Sequence, residues 1–343
     1  MQLNIYNISR QHTGHICQIT KSCKFEKFSL MVPIGLQIIY CFFISLASSF
    51  VIYADYRGRV VKYDGRIGMM KTTIRVGETE ISRIGYGTLY IPVERGFGPA
   101  RSNAVDLLKE ARNLGIQFFD TADSYGNGSA EEAIREALHP YDNIVIASKG
   151  GFRHERLGSW VSDARPERLR SCLEGSLRRL GLECIDLYQL HCPDNRVPYA
   201  DAVGALAEMQ QEGKILHIGI SNVNLEQIRI ATREVDIVSI QNAYNILHQG
   251  HSDILEYCES KNIVFIPWMP LGDGSISWDR PMLKQIAQKH GSSPAQIALV
   301  ALLHHSPAIL PIPGTSSLDH LRENIKAGNI NLDAEDLKSL WPV

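Results

Sequence analysis

The chain has 343 residues, of which 44% are hydrophobic and 21% are charged, and its formal net charge is −2. This composition fits a globular protein with a large buried core. The small net charge argues against a protein that binds nucleic acid or an anionic membrane through its overall charge. The seven cysteines are scattered, with no CxxC pair and no metal-ligand spacing, so we interpret them as reduced thiols.

The N-terminal part differs in composition from the rest. Residues 28–54 are nearly free of charge and are long enough to span a bilayer. Three interpretations stay open: a membrane anchor, a secretory signal, or an upstream stretch included by a wrongly chosen start codon. We favour the third, in which the protein begins at Met69 or Met70. We therefore expect an extension over 1–69, a folded domain over 70–343, a cytoplasmic location, and membrane association only if the apolar stretch is retained.

From Ile81 onward, short apolar segments alternate with amphipathic helical patterns. The predicted strands cover 84–87, 117–120, 143–148, 185–191, 216–221, 237–241, 263–267 and 309–313. The predicted helices cover 104–114, 166–180, 201–212, 225–233, 253–260, 281–289, 293–304 and 318–327. Eight strand–helix repeats predict an α/β fold of the (β/α)8 TIM-barrel type, and the segment KTTIRVGETEIS predicts an N-terminal β-hairpin that closes the barrel floor.

Four polar residues lie at the ends of three consecutive predicted strands. Asp120 and Tyr125 lie in FFDTADSYGNG, Lys149 closes NIVIASK, and His191 closes IDLYQLH. The C-terminal ends of barrel strands converge on one face, where the active sites of such barrels lie. We therefore expect these four side chains to meet.

These residue types suit the reduction of a carbonyl group by hydride transfer. Tyr125 can protonate the carbonyl oxygen, but free tyrosine titrates near about 10. The Lys149 ammonium would bring that pKa towards neutrality, and Asp120 would hold the lysine in place. His191 would donate a hydrogen bond to the substrate oxygen and orient the carbonyl.

Taken singly, each of these residues also has an ordinary structural interpretation, as a core histidine, a packing tyrosine or, for Asp120, a helix cap. We expect Asp123 and Ser124 to be the caps instead, close to a helix that starts near Ala130. All four residue types at strand ends with this spacing favour the catalytic interpretation.

From Met70 to about Leu340, the chain resembles the aldo-keto reductase family. The resemblance rests on six segments: DTADSYGNGSAEE, IASKGG, LYQLHCPD, GKILHIGISNVN, FIPWMPLG and LPIPGTSSLDHLREN. It implies a NADPH-dependent reduction of an aldehyde or ketone to an alcohol, with hydride from nicotinamide C4 and Tyr125 as proton donor. It also implies that Asp120, Lys149 and His191 complete the catalytic set.

The resemblance implies a nicotinamide dinucleotide bound across the barrel mouth, and no GxGxxG motif follows a strand here. Ser221, Asn222 and Gln241 would hold the carboxamide, and Trp268 would stack on the ring. The other implied cofactor contacts are Thr88, Pro270, Leu271, Gly314, Thr315, Ser316, His320, Glu323 and Asn324.

One departure from the family pattern bears on the choice of cofactor. Gly314 and His320 stand where many members have Lys and Arg on the 2′-phosphate. Backbone amides at a helix start bind anions, and Thr315, Ser316 and His320 can bind a phosphate. NADP is the expected cofactor, and NAD stays possible.

The substrate pocket is expected to include the loops LYIPVERGFGPARS and GGFRHERLGSWVSD, with Tyr90, Phe152 and Trp160 as lining residues. These loops and LPIPGTSS resemble a bacterial subgroup that includes pyridoxal reductases, so the expected partner is a small carbonyl compound, with pyridoxal as a candidate.

Two other classes of function compete with carbonyl reduction. A regulatory nicotinamide-nucleotide-binding subunit, similar to certain potassium-channel β-subunits, would have the same four residues but little turnover. A metal-dependent barrel enzyme lacks support, because the strand ends offer His191 and Asp120 but no second histidine in a ligand pattern. We expect no metal.

Overall fold

In the computed structural model, the described residues are 51–54, 60–63, 72–91, 101–154, 160–272 and 278–341. The chain divides into two compact units, Met1–Ile67 with Val343, and Gly68–Pro342. In the first unit, β1 (Val51–Ala54) and β2 (Val60–Tyr63) pair antiparallel. Apart from β1, the apolar stretch 28–54 lies outside the described residues. No helix in the described ranges is long and apolar enough to cross a membrane.

The second unit begins with the predicted hairpin, formed by β3 (Thr73–Val76) and β4 (Thr79–Ser82). Its turn contains Gly77 at φ +56°, a backbone conformation that glycine adopts without strain. A Cβ at this position would collide with the ring of His217, which lies near the start of a barrel strand. The hairpin therefore packs on the N-terminal ends of the strands, and this prediction is confirmed.

Seven parallel strands follow one another around the barrel in chain order. Because they are covered on both faces, their sequences are largely apolar. They are β5 (Tyr86–Gly87), β6 (Phe118–Asp120), β7 (Val145–Gly150), β10 (Ile185–Leu190), β11 (Ile215–Ser221), β12 (Ile237–Ala243) and β13 (Val264–Trp268).

The eighth predicted strand, 309–313, is not a regular strand, although it closes the barrel. Leu310 N donates to Phe265 O at 2.9 Å, and Gly85 N donates to Pro311 O at 2.9 Å. The segment thus joins β13 to the start of β5. Because proline has no N–H group, Pro311 and Pro313 shorten the hydrogen-bond ladder. The (β/α)8 type is confirmed, with a prolyl segment in the eighth strand position.

Helices cover the outside of the sheet. They are α1 (Arg101–Asn113), α2 (Ser129–Leu138), α3 (Pro166–Leu180), α4 (Tyr199–Gln211), α5 (Leu225–Glu234), α6 (Ser252–Lys261), α7 (Pro281–Lys289), α8 (Pro294–His305), α9 (Leu318–Lys326) and α10 (Ala334–Leu340). The sequence pattern did not predict α10, which begins at a capping box on Asp333.

The core has two layers, as strand alternation requires. Phe118 and Leu187 point into the barrel with Val145, Val264 and other aliphatic residues. Phe119 packs outward against the helices. This arrangement leaves the C-terminal strand ends free to carry polar groups.

Candidate active site

The four predicted residues lie together at the C-terminal strand ends. Asp120 ends β6, Lys149 lies near the end of β7, and His191 follows β10. Tyr125 opens a 3-10 turn, Tyr125–Gly128, that leads into α2. All four residues are buried.

The prediction that Asp123 and Ser124 cap the following helix is wrong. The helix α2 begins at Ser129, after Gly128 in a left-handed conformation, and neither side chain caps it. The 3-10 turn separates the two residues from the helix start. Asp123 instead faces α3, where its carboxylate lies 3.7 Å from Arg168, and burial raises the pKa of Asp123 to about 6.

A buried chain of contacts joins three of the residues. Lys149 Nζ lies 2.5 Å from Asp120 Oδ1 and 3.3 Å from the hydroxyl of Tyr125. The ammonium also donates to the backbone oxygen of Thr121 at 2.9 Å. Its three protons are therefore directed to a carboxylate, a carbonyl and the phenol. This geometry places a positive charge beside the phenol oxygen.

The second carboxylate oxygen of Asp120 accepts two amide donors. Gln241 Nε2 donates to Oδ2 at 2.8 Å, and Gln189 Nε2 donates to it at 3.3 Å. The sequence predicts Gln241 as a cofactor contact and does not predict a role for Gln189. The signal for Gln189 was its place two residues before His191, since alternate residues of a strand share one face.

Burial dominates the electrostatics of the site. It raises the pKa of Tyr125 above its ordinary value of 10.0, while the Lys149 ammonium acts in the opposite direction. The lysine thus lowers the pKa of Tyr125, as the sequence predicts, but desolvation of the phenolate outweighs this effect. Burial opposes the charge of Lys149 as well, but Asp120 outweighs it, so the pKa of Lys149 is raised. Tyr125 is thus a protonated acid beside an ammonium.

His191 is held in an aromatic environment. Its ring centre lies 4.5 Å from that of Phe152, 5.9 Å from that of Tyr125 and 6.3 Å from that of Trp160. Its Nδ1 is buried with no hydrogen-bond partner among the described residues. Burial and the nearby Lys149 hold the pKa of His191 well below 6.5, so the imidazole is neutral.

The predicted pocket loop after β7 is an antiparallel hairpin, β8 (Phe152–His154) and β9 (Trp160–Ser162). Asp194 anchors it: Arg196 donates to both oxygens of that carboxylate and also to the backbone oxygen of Ser162. These hydrogen bonds lower the pKa of Asp194 to about 2. The hairpin therefore presents Phe152 and the 42% exposed Trp160 beside His191.

The residues that the sequence predicts to contact the nicotinamide and its carboxamide lie at the ends of the next strands. Asn222 Nδ2 donates to His191 O at 2.9 Å and to Ser221 Oγ at 3.1 Å, and Trp268 Nε1 donates to Asn222 Oδ1 at 3.1 Å. Ser221 Oγ donates to the backbone oxygen of Gln241 at 2.8 Å. Asn222 adopts φ 58°, a conformation that asparagine tolerates better than most residues. The side chains of Ser221, Asn222 and Trp268 thus form one hydrogen-bonded group beside His191, which we call the carboxamide cluster, and Gln241 joins it only through its backbone oxygen.

Comparison with known proteins identifies the family. A model described as Aldo/keto reductase family matches residues 83–341. The chain belongs to the aldo/keto reductase family. The expected family and the oxidoreductase class are therefore confirmed.

Three relatives illustrate the similarity. The chain is 40% identical to an uncharacterized oxidoreductase of Schizosaccharomyces pombe, over 77% of this chain and 87% of the relative. It is 38% identical to pyridoxine 4-dehydrogenase of Escherichia coli, over 79% and 98% of the two chains. The structure of an aldo-keto reductase from Klebsiella pneumoniae in complex with NADPH matches with a TM-score of 0.69 and 26% identity, over 80% of this chain and 96% of that one.

In this aldo/keto reductase, the predicted phosphate segment precedes α9. Thr315 is buried, and its Oγ1 accepts from Ser317 N at 3.0 Å. Ser317 caps α9 by accepting from His320 N. Of the predicted contacts here, Thr315 and Asn324 are buried, Gly314 is half-buried, and Ser316, His320 and Glu323 are exposed.

The remaining predicted contacts surround the same face. Thr88 is buried and donates to Asp120 O at 3.0 Å, Pro270 is buried, and Leu271 is half-buried. Tyr90 is 46% exposed and lies close to Gly314. Within the described ranges, no group of three His, Cys, Asp or Glu side chains is arranged to hold a metal ion.

Proposed function

We propose that this protein reduces an aldehyde or ketone to an alcohol with NADPH, and that Tyr125 donates the proton. The observation that carries the proposal is the buried contact chain from Asp120 through Lys149 to Tyr125, next to a neutral His191. A carbonyl oxygen that lies near Tyr125 and His191 meets two hydrogen-bond donors in a site of low polarity, where such donors act strongly.

Each residue has a separate role in this reaction. NADPH, when bound, supplies the hydride that reaches the carbonyl carbon. Tyr125 gives its proton to the carbonyl oxygen, and Lys149 stabilises the phenolate that is left. Asp120 keeps the lysine charged and in place. His191, being neutral, donates one hydrogen bond to the substrate oxygen and orients it.

The donor and acceptor chemistry of the strand ends fits a nicotinamide carboxamide. Asn222 Oδ1 accepts one hydrogen bond, from Trp268, and a carbonyl oxygen has two lone pairs. Ser221 Oγ also retains acceptor capacity beyond its bond from Asn222. These two oxygens would hold the carboxamide NH2, and Trp268 offers a ring surface beside them. The NADPH complex of the Klebsiella relative supports this cofactor.

The substrate would enter between the hairpin β8–β9 and the loop that contains Tyr90. Phe152, Trp160 and Tyr90 give this side of the site an aromatic surface. Pyridoxal is a candidate substrate, because a pyridoxine 4-dehydrogenase is 38% identical over nearly its whole length.

The test is a panel of aldehydes and ketones, with pyridoxal included, assayed with NADPH and with NADH. His191→Ala should lower kcat/KM strongly and leave the Kd for NADPH nearly unchanged, because the histidine acts on the substrate oxygen. If kcat/KM and the affinity for NADPH fall by the same factor, that role is contradicted. Tight NADPH binding without turnover on any carbonyl would favour the regulatory subunit instead.

We also propose that the catalytic unit is residues 70–343. The compact unit Gly68–Pro342 and the family match over 83–341 support this boundary. A form that begins at Met70 should be monodisperse and as active as the full chain. A Met70 form that is inactive or aggregates would contradict the proposal.

A further inference from the structure

A buried carboxylate lies behind the catalytic residues, on the outer face of the barrel. Glu131, in the first turn of α2, has no exposed surface. Its Oε1 accepts a hydrogen bond from Ser148 Oγ at 2.6 Å, and its Oε2 accepts one from Arg179 Nε at 2.7 Å. Ser148 directly precedes Lys149 in β7 and points to the opposite face of the strand. One carboxylate thus ties α2 to the strand that carries the catalytic lysine.

The same ion pair lies against the turn that carries Tyr125. Gly128, at φ +96°, ends this turn, and a Cβ there would collide with the guanidinium of Arg179. Glu131 follows only three residues later, in the helix that continues the turn. Arg179 therefore supports the turn itself, and Glu131 anchors its continuation. Both the lysine strand and the tyrosine turn are held by one ion pair, in which the Glu131 carboxylate is fully buried and the Arg179 side chain is partly exposed.

This arrangement bears on a sensitive distance. The 3.3 Å between Lys149 Nζ and the hydroxyl of Tyr125 is already at the outer limit of an ordinary hydrogen bond. A small movement of either backbone would break it. Loss of the Glu131 charge would remove the ion pair that holds Arg179 against Gly128 at the end of the tyrosine turn.

We propose that Glu131 is a positioning residue that sets the distance between Lys149 and Tyr125 through Ser148 and Arg179. The inference rests on the proposed function, in which Tyr125 is the proton donor. Glu131 acts through the backbones of β7 and of the turn, not on the substrate.

The first measurement does not depend on activity. Crystal structures of the full-length protein and of Glu131→Gln would be compared at the Lys149–Tyr125 contact. Glutamine keeps the shape and can still bond Ser148, but it loses the charge that pairs with Arg179. We expect the distance from Nζ to the hydroxyl to grow beyond about 3.5 Å, outside hydrogen-bond range.

The second measurement is kinetic. Glu131→Gln should lower kcat by roughly 10- to 100-fold, the scale expected when reacting groups are misplaced by up to about 1 Å. The Kd for NADPH should stay within about twofold, because the carboxylate lies behind the strands and away from the carboxamide cluster. The pH midpoint of alcohol oxidation, which requires the phenolate, should move to higher pH because the ammonium stabilises that phenolate less.

A second ion pair offers a matched control, because its arginine lies in α3 as Arg179 does. Arg170, also in α3, pairs with Glu212 at 2.7 Å, but both side chains are partly exposed. Glu212→Gln removes the same kind of charge and should leave the Lys149–Tyr125 distance, kcat and the pH midpoint unchanged. Ser148→Ala, which cuts only the tie to β7, should produce a smaller change in the same direction as Glu131→Gln.

The outcomes separate the two proposals. If the protein turns over no carbonyl, the proposed function fails, and the Lys149–Tyr125 distance still decides the role of Glu131. If Glu131→Gln does not fold, the Lys149–Tyr125 distance, kcat and the pH midpoint of Ser148→Ala and Arg179→Lys test the positioning role instead. A lower melting temperature with an unchanged distance and an unchanged pH midpoint would overturn the positioning role and leave Glu131 as a stabilising residue only.

Discussion

Gln241 and Asp120 are joined across the barrel mouth: Gln241 Nε2 donates to Asp120 Oδ2 at 2.8 Å, although the strands that carry them lie four positions apart around the sheet. Gln189 donates a second, longer hydrogen bond to the same oxygen, at 3.3 Å. The carboxylate is therefore fixed at both oxygens, one by the amides and one by Lys149. These hydrogen bonds explain how the Lys149–Asp120 ion pair is held in place although it has almost no exposed surface.

Gln241→Leu should destabilise the protein. The substitution removes a hydrogen bond to a buried charge, which corresponds to about 1.5–3 kcal/mol of the free energy of unfolding. Urea unfolding monitored by circular dichroism gives this value. Unchanged stability, accompanied by a loss of NADPH affinity alone, would instead assign the amide to the cofactor.

Asp120→Asn should cost more, because it leaves a buried ammonium without its counter-ion; the expected loss is about 3–5 kcal/mol near neutral pH. In the wild type, the pKa of Lys149 is raised, so its pairing stabilises the fold below about 10.5 and this contribution is lost as pH rises through the folded pKa. In the variant, burial lowers the pKa of Lys149, so stability rises with pH. The stability difference should therefore narrow as pH rises from the lowered pKa of the variant's lysine towards about 10.5, and narrow further as the wild-type lysine loses its proton. A difference that is constant from pH 7 to pH 10.5 would contradict the pairing.

The pH dependence of turnover should show no histidine step. Because the pKa of His191 lies well below 6.5 and that of Tyr125 lies above 10.0, both groups keep their active forms through the neutral range. Carbonyl reduction should be flat between about pH 6 and pH 8, whereas alcohol oxidation should rise with pH. Stopped-flow measurement of the hydride step tests both directions. If the rate of carbonyl reduction instead falls as pH is lowered, with a midpoint near 6.5, His191 titrates there.

Asp194→Asn should loosen the hairpin β8–β9. The variant loses the negative charge that holds the Arg196 guanidinium, and this guanidinium also donates to the backbone oxygen of Ser162 in the hairpin. We expect KM for the carbonyl to rise by roughly 10-fold, equivalent to about 1.4 kcal/mol of binding, with a smaller effect on kcat. Asp279→Asn, in an exposed ion pair with Lys284, is the control. An unchanged KM would mean that the hairpin does not contact the substrate.

Much of the fold follows from sequence periodicity. The predicted bounds of α3 and α7 are those observed, because both helices begin with proline in the first turn. The eighth strand could not be predicted well, because Pro311 and Pro313 interrupt the hydrogen bonding that an apolar pattern implies.

The site was predictable where residue type and strand position coincide. Asp120, Lys149 and His191 end apolar strands, and the structure brings them together with Tyr125. The role of Glu131 was not predictable, because a glutamate in the first turn of a helix ordinarily faces solvent. Its burial results from the packing of α2 against α3, which no local pattern encodes.

The central claim is that Tyr125 donates the proton in a NADPH-dependent carbonyl reduction. The most direct measurement compares the wild type with Tyr125→Phe in turnover of the best carbonyl of the panel, together with NADPH binding by fluorescence. Phenylalanine keeps the ring contacts with His191 and Trp160 but has no proton to give. We predict a fall in kcat of about 10²–10⁴-fold with NADPH affinity retained. Turnover close to that of the wild type would contradict the account.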